Sequence, residues 1–439
     1  MSEKLSTKPY KGSRDFYPQE MRFRTWMFNR MSEIVESYGY EKVDSALIEP
    51  VDLYLAKTSE EIVNQQIYSF LDRGERKVAI RPEMTPTVAR MVAGKVRELP
   101  KPIRWYSIPN LWRYEKPGKG RLREHWQLNA DLFNARDEKL ADTEILQLAI
   151  ELMKGFGADK SQFVVYLNHR EILNSILGNI LKVPKENWTA VARIMDKKEK
   201  VSADVYEEML EKSGLNTDQK KDLSEYLDQK KTYIKNNKDQ IGPSADYLLQ
   251  ILDTLDELGY KEFIQYNPSV VRGFDYYTGI VFEVFDTAPE NRRSLFGGGR
   301  YDNLAGAFIK ENINAVGFGM GDVTFADFLR THKLYKDIPK NTQIYMASFT
   351  DSKASIKAMQ LAVTLRNSGY RVENFSGEKK LKKQLDEANA KSIPIVLILA
   401  DDELENDTIS LKNMISGEQK SIKTAELLTE LNLFFKDKL

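Results

Sequence analysis

Residues 126 to 133 read Trp-Gln-Leu-Asn-Ala-Asp-Leu-Phe, a stretch in which polar and apolar side chains alternate. A period of two is typical of a β-strand, because successive side chains of a strand point to opposite faces of the sheet. Gln127, Asn129 and Asp131 should therefore share one face, and the apolar side chains between them should share the other. Since one face of a sheet must be core, the three polar side chains predict the floor of a polar pocket.

Shorter runs with the same alternation lie on both sides of this strand, and they predict an antiparallel sheet with one solvated face. Stretches with the 3.6-residue period of an amphipathic helix accompany them. The predicted fold class is therefore α+β, an antiparallel sheet flanked by helices. The predicted strands are 42–48, 77–80, 103–111, 126–133, 163–167, 270–272, 279–286 and 315–319, and the predicted helices are 19–38, 138–156 and 323–334.

Changes in composition along the chain predict its domains. From 170 to 262 lysine and glutamate become dense and strand patterns vanish, which indicates a helical insertion between two parts of one core, 1–169 and 263–335. Residues 336–341 are typical of a linker. Strands and helices then alternate through 342–439, a pattern that predicts an α/β domain with a largely parallel sheet.

Composition excludes several classes of protein. The 439 residues include 65 Lys and Arg against 65 Asp and Glu, so any nucleic-acid binding must rest on local patches. Cysteine is absent, which excludes disulfides and thiol catalysis, and three histidines argue against a multi-histidine metal site. No apolar run approaches the ~18 residues of a membrane helix. The N-terminus also lacks a signal-peptide core, so we expect a cytoplasmic protein with no membrane partner.

Four segments carry side chains suited to ligand binding, and two of them lie before the insertion. Glu83 and Thr85 follow a predicted strand and precede a helix, where a carboxylate could bind an ammonium group or simply favour the start of the helix. In the loop after Arg113, Arg121 and Arg123 could bind phosphate oxygens with their planar forks. A basic surface hairpin would have the same composition.

The other two segments follow the insertion. Segment 270–283 combines Arg272 with a carboxylate and the paired Tyr276 and Tyr277. Tyrosines with hydroxyl groups suit the wall of a ligand site, but a core strand that carries tyrosines is an equal alternative. Segment 295–302 has three consecutive glycines, which allow a close backbone approach to a ligand or merely a tight turn. It matches neither the Walker nor the dinucleotide-binding pattern.

Taken in this order, the segments resemble the histidyl-tRNA synthetases, and the resemblance covers essentially the whole chain. Val271-Arg-Gly-Phe-Asp-Tyr-Tyr-Thr-Gly279 and Gly298-Gly-Arg-Tyr-Asp302 are similar to that family's own signatures. Arg113-Tyr-Glu115, Lys119-Gly-Arg-Leu-Arg123 and Trp126-Gln127 together resemble the second signature motif of class II synthetases. Gly12-Ser-Arg-Asp-Phe-Tyr-Pro18 resembles the family's segment before its first helix.

The resemblance implies a class II antiparallel catalytic sheet with a helical insertion, a C-terminal α/β anticodon-binding domain, and a homodimer. It implies that histidine and ATP, with Mg²⁺, form histidyl-adenylate and pyrophosphate, and that the histidyl group is then transferred to tRNA(His). The family's histidine-binding positions fall on Glu83, Met84, Thr85, Gln127, Asp131, Tyr276 and Tyr277. Its catalytic positions fall on Arg113 and Arg272, and its ATP-binding positions on Arg113, Glu115, Arg121 and His125.

Four positions depart from the family pattern, and the first is Asp131, where many bacterial members have Glu and other members have Asp. Ala46 replaces the usual proline of the first motif, at the expected dimer interface, and His125 stands where phenylalanine is frequent. Thr324 stands where the third motif has an arginine that packs on adenine and reaches the γ-phosphate. Arg121 or a metal ion would then have to supply the charge. The alternative hypothesis is a catalytically silent, histidine-sensing paralogue, similar to the synthetase-like partner of ATP phosphoribosyltransferase, but Arg272 and the anticodon-type domain favour the ligase.

Overall fold

The structure, a computed structural model, describes residues 5–55, 65–118, 120–198, 201–271, 277–291, 294–302, 304–335, 338, 342–349, 353–375 and 380–436. The chain divides into two compact units, Met1–Phe16 with Arg24–Lys336, and Tyr17–Phe23 with Asp337–Leu439. Of the predicted linker 336–341, residue 338 alone belongs to the described residues. In the part of the chain that the structure describes, no helix has the length and apolar character needed to cross a membrane.

The described residues form helices and strands throughout the chain. The helices are α1 Pro18–Ser37, α2 Asp52–Leu55, α3 Thr85–Lys95, α4 Glu138–Gly155, α5 Arg170–Ser175, α6 Trp188–Lys197, α7 Ala203–Glu211, α8 Thr217–Gln229, α9 Lys231–Asn236, α10 Lys238–Ile241, α11 Pro243–Glu257, α12 Asp322–Thr331, α13 Lys353–Asn367, α14 Leu381–Ala390, α15 Asp401–Glu405 and α16 Leu427–Lys436. The strands are β1 Glu41–Lys42, β2 Ile48–Pro50, β3 Tyr68–Leu71, β4 Lys77–Ile80, β5 Ile103–Ser107, β6 Asn110–Trp112, β7 Glu124–Phe133, β8 Phe163–His169, β9 Ile264–Tyr266, β10 Ile280–Asp286, β11 Ser294–Arg300, β12 Ala315–Gly321, β13 Ile344–Ala347, β14 Val372–Asn374, β15 Ile395–Ile398, β16 Thr408–Asn413 and β17 Gln419–Lys423.

The first unit is built on a nine-stranded sheet with the strand order β1-β5-β7-β12-β11-β10-β8-β9, and β6 pairs with the start of β7. The pairings at the two ends, β1 with β5 and β8 with β9, are parallel, and the pairings between them are antiparallel. This confirms the predicted α+β class with a mainly antiparallel sheet. The alternating strand β7 lies between β5 and β12, so both of its edges are hydrogen-bonded.

The single strand predicted at 42–48 is wrong, because β1 and β2 are separate and belong to different sheets. β1 joins the large sheet, whereas β2 pairs with β4 in a three-stranded sheet of order β2-β4-β3. A distant side chain holds the segment between them: Nη1 of Arg81 donates to the carboxylate of Asp44 at 3.1 Å and to the carbonyl of Ser45 at 3.0 Å. The local pattern contains no sign of this contact.

The strand predicted at 270–272 is also wrong for residues 270 and 271, and Arg272 lies outside the described residues. Asn267 turns the chain here, since its side chain accepts a hydrogen bond from the Ser269 N–H at 3.0 Å and its carbonyl accepts one from Val270 at 3.2 Å. Asn168 Nδ2 donates to the carbonyl of Val270 at 3.1 Å. Backbone groups that a strand would use are therefore already satisfied.

Between β8 and β9 the described residues form the helices α5 to α11 and contain no strand. The second unit carries a five-stranded sheet of order β14-β13-β15-β16-β17. β13 runs parallel to β14 and β15, whereas β15, β16 and β17 are mutually antiparallel neighbours. The sheet is therefore mixed rather than largely parallel, because the antiparallel hairpin of β16 and β17 supplies two of its five strands. Its α/β class is as predicted.

A buried ion pair joins the large sheet to two helices. Arg300 at the end of β11 donates to Asp142 of α4, from Nε at 2.9 Å and from Nη2 at 2.5 Å, and its Nη1 donates to Asp302 at 2.9 Å. Tyr247 of α11 donates to the other oxygen of Asp142 at 2.8 Å. The side chain of Asp142 is 0% exposed, so these donors, rather than water, compensate its charge.

Removal of one partner of this pair should destabilise the fold strongly. We expect Asp142→Ala to lower the free energy of unfolding by about 3–5 kcal/mol, because it removes the acceptor of two hydrogen bonds from the buried Arg300 and leaves Asp302 as its remaining hydrogen-bonded carboxylate. Calorimetric or urea unfolding would measure the change. Glu311→Ala is the matched control, since it breaks an exposed ion pair with Arg97 (2.9 Å) and should have no measurable effect. Equal losses in the two variants would contradict this interpretation.

Candidate active site

One face of the central strands forms the floor of a pocket. Gln127, Asn129 and Asp131 of β7 all line it, as the alternation along this strand predicts. Side chains from the junction between β4 and α3, from the end of β6 and from the segment before β10 form the walls. The described residues that line the pocket are Glu83, Thr85, Arg113, Gln127, Asn129, Asp131, Tyr277, Gly297, Tyr301, Gly317, Phe318 and Gly319.

Glycines on β12 make room for the polar side chains of β7. The register pairs Gly317 with Asp131 and Gly319 with Asn129. A Cβ on Gly317 would lie 2.5 Å from Oδ1 of Asp131, and a Cβ on Gly319 would lie 2.8 Å from Cδ of Gln127. Non-bonded atoms cannot approach so closely, so any larger residue here would displace the pocket floor.

Asp131 is the buried anion of the pocket. Its side chain accepts a hydrogen bond from the hydroxyl of Tyr301, and the ring of Tyr277 meets that of Tyr301 edge to face with centroids 6.5 Å apart. Burial raises the pKa of Asp131 to about 7, although the Tyr301 hydrogen bond acts in the opposite direction. A carboxylate in this state can accept a hydrogen bond from a ligand N–H and gains charge stabilisation when it does.

The start of α3 brings a second carboxylate to the pocket. Glu83 is buried, at 3% exposure, and lies next to Thr85 in the pocket wall. Arg113 is tied to the same junction, because its Nε donates to the carbonyl of Pro82 at 2.8 Å. Met84 does not join its neighbours: its side chain is buried in the hydrophobic cluster under α3 and is absent from the described pocket lining.

Of the positions assigned to ATP, Arg113 lines this pocket, and the others lie beyond its lining. Arg121 pairs with Glu115 at 3.5 Å between Nη1 and Oε2, within the loop that precedes β7. His125 lies on β7, and burial together with the charges of Arg113 and Arg14 lowers the pKa of His125 to about 3. The ring is therefore neutral at physiological pH. Arg272 and Tyr276 lie outside the described residues.

The sequence analysis missed Tyr301 as a member of the site. The glycines of segment 295–302 suggest a ligand site. The tyrosine close behind them is the feature of the sequence that indicates Tyr301. Its role depends on the contact with Asp131, a residue 170 positions away in the chain. Such a contact follows from the sheet order and not from any local pattern.

The raised pKa of Asp131 predicts a specific pH dependence of stability. Because the pKa is about 7 in the fold and 3.8 in the absence of burial, the contribution of Asp131 to stability should fall as pH rises from about 4 to about 7. Asp131→Asn keeps an acceptor for Tyr301 and removes the titration. The melting temperature of Asp131→Asn relative to the parent should therefore rise across this window and level off above it. A difference that does not change with pH would refute the assignment.

Comparison with known proteins agrees with this fold. The family model "Histidyl-tRNA synthetase" matches residues 12–322, and the model "Anticodon binding domain" matches residues 338–432. The histidine–tRNA ligase of Leptospira biflexa is 45% identical over 433 residues, which are 98% of each chain. That of Haloarcula marismortui is 36% identical over 420 residues, which are 94% of each chain.

A solved structure has the same fold. The crystal structure of histidyl-tRNA synthetase from Nostoc sp. PCC 7120 superimposes with a TM-score of 0.83 at 23% identity and covers 99% of this chain and 100% of its own. The family model spans most of the chain, and the Leptospira relative matches it almost from end to end. This chain therefore belongs to the histidyl-tRNA synthetases, the class II ligases that join histidine to tRNA.

Proposed function

We propose that the chain activates histidine with ATP to form histidyl-adenylate and pyrophosphate, and then transfers the histidyl group to the 3′ end of tRNA(His). One observation carries this proposal. Six of the positions that the family uses, Glu83, Thr85, Arg113, Gln127, Asp131 and Tyr277, line a single pocket. A ligase of this kind uses ATP, and the arginine at the mouth of an otherwise acidic and neutral pocket suits a phosphate.

Two buried carboxylates give the pocket its selectivity for histidine. Glu83, with Gln127 and Thr85, would bind the α-ammonium group, because a carboxylate and two side-chain oxygens match its three N–H donors. Asp131 and Tyr277 would bind the imidazole edge, with Tyr276 beside them. An amino acid without the matching N–H would leave these buried groups unsatisfied, and a site of this kind rejects it strongly.

Arginines would act on the phosphates. In the first step a carboxylate oxygen of histidine attacks the α-phosphorus, the bond to the bridging oxygen breaks, and pyrophosphate leaves. Arg113 would bind the α-phosphate, and its hydrogen bond to the carbonyl of Pro82 fixes the direction of its guanidinium. Arg272 would approach from the opposite side and stabilise the charge that develops during the attack. In the second step the terminal hydroxyl of the tRNA attacks the histidyl carbonyl, and AMP leaves.

Mg²⁺ would enter as the MgATP complex. This ion prefers oxygen ligands and is commonly held by one or two carboxylates together with substrate phosphates. Glu115 supplies a carboxylate of that type in the loop assigned to ATP, where Arg121 lies 3.5 Å from it. The ion would neutralise charge on the leaving pyrophosphate, and His125 would offer a flat, uncharged ring to the adenine.

A homodimer and a division of labour between domains complete the proposal. Apolar side chains of and beside β2 and β3, near Ala46 in the sequence or in the same three-stranded sheet, are 41% to 66% exposed, and burial of such side chains would favour contact with a second copy. They are Leu47, Ile48, Phe70 and Leu71.

We assign tRNA(His) recognition to the domain 342–439 and the chemistry to 1–169 with 263–335. Residues 170–262 would form a separate helical module. We assign the protein to the cytoplasm.

The direct test is amino-acid-dependent exchange of pyrophosphate into ATP by the purified protein. We expect exchange with histidine and none with the other nineteen amino acids. Arg113→Ala should slow exchange by roughly a hundredfold or more while histidine still raises the melting temperature, because the arginine acts on phosphate and not on histidine. Arg97→Ala, at an exposed ion pair, should behave as the parent protein.

Two outcomes would contradict the proposal in different ways. Histidine-dependent stabilisation without any exchange would favour the silent, histidine-sensing paralogue over the ligase. Exchange with a second amino acid at a rate similar to that with histidine would show that Asp131 and Glu83 do not confer the proposed selectivity.

A further inference from the structure

Thr324 leaves the ATP site without the cation that the family pattern has at this position. Its hydroxyl donates to the carbonyl of Leu295 at 2.8 Å, and its methyl group lies 3.4 Å from where a Cβ on Gly120 would be. Thr324 therefore lies against the loop that carries Arg121 and brings no charge to it. Arg121 is itself 62% exposed and shares its charge with Glu115. Another group has to supply the missing cation.

Arg14 is fixed beside this position by a residue of the same motif. Nη2 of Arg14 donates to Oδ2 of Asp322 at 2.7 Å, and Asp322 precedes Thr324 by two residues at the start of α12. Asp322 is buried at 3% exposure, and its Oδ1 accepts a hydrogen bond from the Trp126 N–H at 2.9 Å. A carboxylate held at both oxygens fixes the orientation of the guanidinium that it binds.

The segment that carries Arg14 is hydrogen-bonded to the end of the loop assigned to ATP. The carbonyl of Gly12 accepts hydrogen bonds from Arg123 at 2.8 Å and from Glu124 at 3.2 Å, so the backbone before Arg14 is anchored at the end of that loop. After burial, the charges of Arg113 and Arg14 lower the pKa of His125, so both guanidinium groups act on the ring assigned to adenine. Arg14 therefore stands among the residues that the proposed function assigns to ATP.

Arg14 also keeps hydrogen-bonding capacity. A guanidinium has five N–H donors, and Asp322 accepts from Nη2. Nε of Arg14 is buried and has no hydrogen-bond partner within the described residues. A buried donor without an acceptor is costly, and a phosphate oxygen at this place would satisfy it.

The local charges favour an anionic ligand. Arg24 lies in the same cluster, with its guanidinium carbon 4.1 and 4.2 Å from the centres of two aromatic rings. Asp322 and Glu124 are the carboxylates that act on Arg24. Arg14 and Arg24 are thus two cations beside Asp322, and Arg113 is a third in the pocket wall that also contains Glu83. These cations lie where the triphosphate of ATP would bind.

We propose that Arg14, held by Asp322, binds the triphosphate of ATP in place of the arginine that Thr324 replaces. The cation that binds the triphosphate would then come from the segment before α1 and not from α12. Asp322 of α12 is the carboxylate that orients it. This inference rests on the proposed function and adds to it a substrate-binding residue.

The test is the KM for ATP in histidine-dependent pyrophosphate exchange by Arg14→Ala. We expect this KM to rise by roughly tenfold or more, equivalent to about 1.4 kcal/mol, while the KM for histidine and the inhibition constant of adenosine stay unchanged. Arg14→Lys should fall between Arg14→Ala and the parent, because lysine keeps the charge and loses the fork. The double variant Arg14→Ala with Thr324→Arg should recover affinity for ATP.

Arg97→Ala is the control for loss of an arginine from the surface of the same unit. An unchanged KM for ATP in Arg14→Ala would overturn the inference. So would an equal loss of affinity for ATP, adenosine and histidine, since this would indicate that Arg14 only supports the fold through Asp322. If the parent protein gave no exchange, the proposed function would fail by itself, and calorimetric titration of ATP into parent and Arg14→Ala would still decide the role of Arg14.

Discussion

The structure depends on one steric constraint, the absence of side chains on β12 opposite the polar residues of β7. Asp131 and Gln127 extend across the neighbouring strand, and a Cβ on Gly317 would lie 2.5 Å from the carboxylate of Asp131. Gly317 and Gly319 leave the space beside the polar side chains of β7 open, and this space is part of the pocket. The antiparallel order β7-β12-β11 brings glycine-bearing strands together and creates that space.

The electrostatics of the site follow from the same constraint. Because β12 has glycine opposite it, Asp131 can be buried in the sheet. Burial raises the pKa of Asp131 to about 7, and the hydroxyl of Tyr301 donates a hydrogen bond to it. Glu83 is buried in the wall of the same pocket. Asp131 and Glu83 can therefore accept hydrogen bonds from ligand N–H groups at two separate points. Histidine has N–H donors at both of its ends. Arginines lie on the side where phosphate would bind.

The strand β7 and its polar face could be predicted because alternation is a local property of the sequence. The positions of Glu83, Thr85, Gln127 and Asp131 followed from the family resemblance, which matched them one by one. Arg14 and Tyr301 could not be predicted, because their roles depend on contacts with residues 308 and 170 positions away. The break between β1 and β2 could not be predicted for the same reason. The side chain of Arg81, which follows β4, donates to the carbonyl of Ser45 in place of a neighbouring strand.

Calorimetric titration of histidine into parent protein and Gly317→Ala tests the central claim most directly. The added methyl group would meet Oδ1 of Asp131 at 2.5 Å, the backbone carbonyl of Ala130 at 2.6 Å and the hydroxyl of Tyr301 at 2.8 Å. We predict that the variant stays folded but loses histidine affinity by roughly tenfold or more, equivalent to about 1.4 kcal/mol. Gly94→Ala, where a Cβ meets nothing within 4 Å, should bind histidine as the parent does. Unchanged affinity in Gly317→Ala would contradict the account, because histidine would then bind elsewhere.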